Sequence, residues 1–119
     1  MADGHILVIA PQLDMQRSLE FVLVAEGFEV TSQSQVDFSS PAATSRFDCI
    51  VLDHQALDGP RENMIDFCAK AAPVVLVSSQ PIEWLSGAIK DLVIKPVMGG
   101  AVVSSVRRVM ALRSSMPTK

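Results

Sequence analysis

This sequence has little that would direct it to a membrane, a secretory route or a nucleic acid. Its 10 Lys and Arg fall short of its 13 Asp and Glu, leaving a formal charge of −3 and a pI near 5.2. Such a balance gives no general attraction to nucleic acid or to an anionic membrane surface, so neither is expected as a partner. Long apolar runs are missing too. The opening stretch MADGHILVIAPQLD is apolar only from Ile6 to Pro11 and carries no basic segment ahead of it, which fits neither a signal peptide nor a membrane span and makes a cytoplasmic location the expectation. The two cysteines, Cys49 and Cys68, form no C-x-x-C pair and sit inside apolar patterns, the setting of reduced, buried thiols rather than of a disulfide or metal site. Internal repeats, low-complexity tracts and interdomain linkers are absent as well. A chain of 119 residues that is 49% hydrophobic is expected to fold as one domain, 1–119, around one core.

Strand-like runs recur at 5–10 (HILVIA), 28–33 (FEVTSQ), 47–53 (FDCIVLD), 73–78 (PVVLVS) and 91–95 (DLVIK). Several are near-continuous aliphatic blocks, the pattern of strands covered on both faces in a parallel sheet. Helical spacing appears between them. Residues 14–26 place Met15, Leu19, Val22 and Leu23 on one stripe, with Asp14 as the expected cap and Gly27 where a left-handed stop belongs. Residues 60–71 start with Pro60 at a first-turn position and align Met64, Phe67, Cys68 and Ala71. Residues 99–114 align Val102, Val106, Val109 and Met110. The other two connections are weak helix formers: 34–46 is broken by Ser39-Ser40-Pro41, leaving at most a short turn capped by Ser40, and 79–90 allows barely two turns between Pro81 and Gly87.

Alternation of strand and helix with right-handed crossovers predicts an α/β fold, a flavodoxin-like doubly wound five-stranded parallel sheet of order 2-1-3-4-5 with its second and fourth helices short or lost. Ligands of such sheets sit at the carboxyl ends of the strands. Function is therefore sought in the residues that end strands: Ala10, Pro11 and Gln12 after the first, Asp53 after the third, Ser78 after the fourth and Lys95 after the fifth. An aspartate, a hydroxyl and an ammonium are expected to converge there.

With IVLD ending in Asp53, PVVLVSS supplying Ser78, LVIKP supplying Lys95 and Pro96, and the flanking segments ILVI, AEGFEV and Asp58-Gly59, the sequence resembles the receiver domain of two-component response regulators over essentially its whole length. The resemblance implies that Asp53 accepts a phosphoryl group from a histidine kinase or phosphotransfer protein, that Ser78 binds a phosphoryl oxygen, and that Lys95 supplies positive charge ahead of a cis Lys95–Pro96 bond. It also implies signalling through a downstream protein partner, with no enzymatic activity beyond phosphotransfer and dephosphorylation at Asp53. A carboxylate is a weak nucleophile toward phosphorus, so such a site works by positioning and by neutralising the equatorial oxygens.

Where receivers carry an acidic pair that holds magnesium, this sequence reads Ala10-Pro11-Gln12. Only the Asp53 side chain and the Gln55 carbonyl remain as ligands, so Mg is expected to bind weakly or not at all. Asp14 serves better as a helix cap than as a metal ligand. Leu92 stands where receivers usually carry an aromatic switch residue. His54, adjacent to Asp53 on an extended segment, is expected to point the other way into solvent, and His5 is expected at the surface. Trp84 either packs a short fourth helix or stands exposed as an interface anchor. Arg107, Arg108 and Arg113 are expected on the solvated side of the last helix, a face through which receivers dimerise, which leaves a homodimer open. Two function classes follow: a stand-alone atypical receiver phosphorylated on Asp53, and a degenerate pseudo-receiver that binds proteins without phosphorylation. A flavodoxin-like enzyme or cofactor binder is the weakest alternative, because no Gly-rich phosphate loop follows the first strand.

Overall fold

The computed structural model describes residues 4–37, 41–97 and 99–115. In chain order it contains β1 (His5–Ile9), α1 (Leu13–Ala25), β2 (Glu29–Gln33), β3 (Cys49–Asp53), α2 (Arg61–Lys70), β4 (Val74–Ser78), β5 (Asp91–Ile94) and α3 (Gly99–Ser115). The strands form one sheet of order β2-β1-β3-β4-β5, every pair parallel. This is the doubly wound order expected from the alternation of strands and helices.

The aliphatic blocks become the strands buried on both faces. β3 and β4 are buried at every position, whereas the edge strands β2 and β5 are largely half-exposed or exposed. Period-two alternation sends side chains to opposite sides and divides the core in two. Ile6, Val8, Cys49, Val51, Val75 and Val77 pack under α1 and α3 through Leu19, Leu23, Val102, Val106 and Val109. Leu7, Ile9, Ile50, Leu52, Val74 and Leu76 face the opposite side, where α2 contributes Phe67 and Cys68. The helix stripes read from the sequence are thus the faces that these helices bury. Leu92, at the switch position, is an ordinary half-buried member of this second cluster.

Among the described residues, the second and fourth connections carry 3₁₀ turns, Pro41–Thr44 and Glu83–Leu85, and no α-helix. The proposed Ser40 cap lies outside the described residues. In the fourth connection, Leu85 is fully buried and anchors the turn. Trp84 packs half-buried against the same cluster, with the Arg61 guanidinium 4.9 Å from its ring centroid, a cation–π arrangement that ties the turn to the start of α2. Trp84 is therefore a packing residue.

Three local expectations are corrected. Gln12, not Asp14, stands at the N-cap position of α1, and no side chain caps that helix; Asp14 sits in its first turn, where a carboxylate still favours the positive helix end. Pro60 is the N-cap of α2 and lies just before its first turn. His5 is half-buried rather than superficial, with Nε2 2.8 Å from Thr31 Oγ1 and its ring edge-on to Phe47. Gly27 does end α1 as expected: at φ 98° it occupies a region that side chains avoid, and its N–H donates to the Val24 carbonyl at 3.0 Å. Among the described residues no helix is long and apolar enough to cross a membrane.

Both cysteines are buried and neither is in a disulfide, and burial pushes the Cys68 thiol from 9.0 up to about 11. The unfolded chain therefore loses this proton more readily than the folded one. The stability tied to the neutral thiol is fully present below about pH 9 and declines as pH rises toward about 11. Urea unfolding at stepped alkaline pH should show a fall across this window that is shallower in Cys68→Ala.

Candidate functional site

Strands that run parallel end at a common rim, and the sheet register brings the expected residues there. Asp53 is the last residue of β3 and pairs with Val77; Ser78 ends β4 and pairs with Ile94, so Lys95 is the next residue beyond β5. By strand alternation Asp53 follows Val51 and Lys95 follows Val93 to the α1/α3 side, whereas Ser78 follows Leu76 to the α2 side. This difference decides which side chains meet.

Asp53 and Lys95 do meet. The Lys95 ammonium donates to Asp53 Oδ1 at 3.2 Å and to Oδ2 at 3.3 Å. The carboxylate is fully buried and the lysine side chain is 18% exposed. Asp53 also caps the 3₁₀ turn His54–Ala56, its Oδ1 accepting the Gln55 N–H at 3.0 Å, an Asx turn that fixes the carboxylate relative to its own backbone. The Lys95–Pro96 bond is cis. Lys95 further lines a groove of about 560 Å³ together with Gln12, Asp14, Met15, Phe21 and Val97.

Ser78 is buried at the same rim, but its hydroxyl donates to the Gln80 carbonyl at 2.7 Å, and no hydrogen bond joins it to Asp53 among the described residues. Ser79 is exposed. The convergence of aspartate, hydroxyl and ammonium is thus realised for two groups, with the hydroxyl turned aside by a local turn.

His54 overturns its expectation. Strand geometry stops at Asp53, and the 3₁₀ turn that begins at His54 rotates the imidazole back toward the carboxylate. Nδ1 lies 3.3 Å from Asp53 Oδ1, and the side chain is 29% exposed. The contact has ion-pair distance without hydrogen-bond alignment, because Nδ1 is buried and makes no hydrogen bond. Sequence alone held one signal for this placement: Asp53 is a natural turn initiator, and a turn breaks the strand alternation on which an outward histidine depends.

Arg107 and Arg108 are exposed as expected, yet both are tethered. Arg107 donates to the Glu26 carbonyl at 3.0 Å and stands over the Phe28 ring. Arg108 and Ser105 both bond Asp91 at the start of β5, which locks α3 to the edge strand.

Magnesium requires an octahedron of hard oxygens and is usually held by one or two carboxylates with waters. Here Asp53 Oδ1 is already approached by Gln55 N, Lys95 Nζ and His54 Nδ1. Ala10 is buried with its carbonyl accepting the Gln16 amide at 3.1 Å, Gln12 begins a helix, and Asp14 is on an exposed turn. No three His, Cys, Asp or Glu residues cluster closely enough to hold a metal among the described residues. A single carboxylate whose Oδ1 is already crowded is a poor donor set for this ion.

No protein-family model matches the chain, and no curated protein matches it. Solved structures do. Full-length FixJ from B. japonicum is similar with a TM-score of 0.78 at 21% identity, over 98% of this chain and 61% of that one. NtrX from Brucella abortus gives 0.75 at 23%, over 96% and 28%, and a response regulator receiver domain protein from Clostridium thermocellum gives 0.75 at 16%, over 96% and 98%. The chain thus spans less than two thirds of the first two and nearly all of the third. Its fold is that of response regulator receiver domains.

Removing Lys95 leaves a buried carboxylate without its counter-charge, a mechanism that is costly even where the intact pair adds little. Lys95→Ala should lower unfolding free energy by about 2–4 kcal/mol. The cycle with Asp53→Asn should show a coupling of about 1–3 kcal/mol, read from urea unfolding.

Proposed function

We propose that this chain works as a single receiver domain, residues 1–119, whose Asp53 accepts a phosphoryl group from a histidine kinase or phosphotransfer protein and signals by altering its affinity for a downstream protein. The observation that carries this reading is the Lys95 ammonium lying 3.2–3.3 Å from both oxygens of a buried carboxylate at the carboxyl rim of the sheet. Phosphoryl transfer asks a protein mainly for an in-line approach and for charge compensation. Asp53 offers a carboxylate held by an Asx turn, and Lys95 offers a charge that can follow the transferred group. Release of the Ser78 hydroxyl from Gln80 would add a donor at the same rim.

Phosphorylation replaces a carboxylate sharing one ammonium with a group of higher charge in the same place. That change acts directly on the Lys95-Pro96-Val97 segment leading into α3 and on the His54–Ala56 turn. These segments are where a protein partner would sense the modification.

A second reading, a pseudo-receiver that binds proteins without phosphorylation, is favoured by two observations: Asp53 has no exposed surface, and Ser78 is engaged elsewhere. The two readings separate by mass. Incubation with a small acyl phosphate should add one phosphoryl unit, and Asp53→Asn should add none. Absence of any adduct, with an amide NMR spectrum unmoved by beryllofluoride, decides for the pseudo-receiver.

A further inference from the structure

The two oxygens of Asp53 are unequal. Oδ1 accepts the Gln55 N–H at 3.0 Å and the Lys95 ammonium at 3.2 Å and has His54 Nδ1 at 3.3 Å; Oδ2 has Lys95 alone, at 3.3 Å. A carboxylate oxygen offers about two lone-pair sites. Oδ1 is therefore filled on every side that the protein reaches, and Oδ2 keeps a free electron pair.

His54 is the second half of the observation. Its Nδ1 is buried yet unbonded, the single such side-chain nitrogen or oxygen among the described residues. A buried polar atom without a partner is unfavourable and rare. Functional hydrogen bonds are often misaligned until the reacting group arrives, and the neighbour this nitrogen faces is Asp53. In the tautomer with its proton on Nδ1, His54 becomes a donor to the Oδ1 site that Lys95 leaves when its ammonium turns to an incoming phosphoryl group.

Resting on the reading of Asp53 as phosphoryl acceptor, we propose that His54 is a positioning residue that occupies, on Asp53 Oδ1, the place a divalent cation would need, so that phosphoryl acceptance at Oδ2 proceeds without metal. Oδ2 forms a bond to phosphorus while the bridging P–O bond of an acyl phosphate breaks. The leaving carboxylate departs with that electron pair, and no proton moves. Lys95 meets the charge arriving on the phosphoryl oxygens, and His54 with Gln55 N–H holds Oδ1 as it becomes the carbonyl oxygen of the mixed anhydride. Fixed donors thereby replace the missing acidic ligands and the ion they would hold.

The experiment measures, by intact mass, the rate at which the full chain gains a phosphoryl unit from acetyl phosphate in excess EDTA and in magnesium. Wild-type rates should agree within about twofold. His54→Ala should slow the EDTA reaction about tenfold, the loss typical of one hydrogen bond to a charged group. His54→Asn, whose side-chain N–H reaches a similar place, should restore most of it, a rescue that mere packing would not give. An adduct that forms only with magnesium, or an alanine variant as fast as wild type in EDTA, overturns the inference while leaving Asp53 as acceptor. Failure of wild type to gain phosphate in either condition overturns the acceptor reading and this inference with it. Should the alanine variant not fold, the EDTA and magnesium comparison on wild type still decides.

Discussion

Asp53 is held in a fully buried position by one ammonium, and much of what is distinctive in this molecule follows from that pairing. An isolated ionised carboxylate in an apolar interior is strongly unfavourable. The sheet solves the problem by ending β5 one residue short of Lys95, so that the lysine reaches back across β4 to a strand it does not pair with. The reach fixes the relative positions of β3, β4 and β5 at their carboxyl ends. It also sets the polarity of the rim, which is cationic around one anion rather than anionic around a metal.

The two-sided core supplies the rigidity this arrangement requires. β3 and β4 have no exposed position, and their side chains alternate between a layer under α1 and α3 and a layer under α2. Cores packed this closely resist displacement. Adaptation is thereby pushed outward, to the 3₁₀ turns of the second and fourth connections and to the turn after β3. The same layering explains why Ser78 is turned away from Asp53: it belongs to the opposite side of the sheet, and its local turn with Gln80 satisfies its hydroxyl.

The strand blocks, the three helix stripes and the sheet order were legible in the sequence because period and burial are one-dimensional signals. Gly27 and the weakness of the second and fourth connections were legible for the same reason, since glycine and proline act locally. The meeting of Asp53 with Lys95 could be anticipated from strand ends alone. His54 could not, because its direction depends on the backbone leaving strand geometry at one particular residue. The Asp14 cap failed by a small margin: α1 begins two residues before Met15, the first member of the stripe, and Gln12 takes the terminal position. Arg107 and Arg108 are exposed as expected, but their bonds could not be read because the partners, Glu26 and Asp91, are distant in the chain.

Trp84 has a consequence of another kind. The chain contains one tryptophan and no tyrosine, so its ultraviolet fluorescence belongs almost wholly to a single indole. That indole is half-buried in the turn that follows the rim of β4 and is covered by the Arg61 guanidinium from the head of α2. Emission colour and intensity therefore register, without any label, whether this turn and this helix stay docked together.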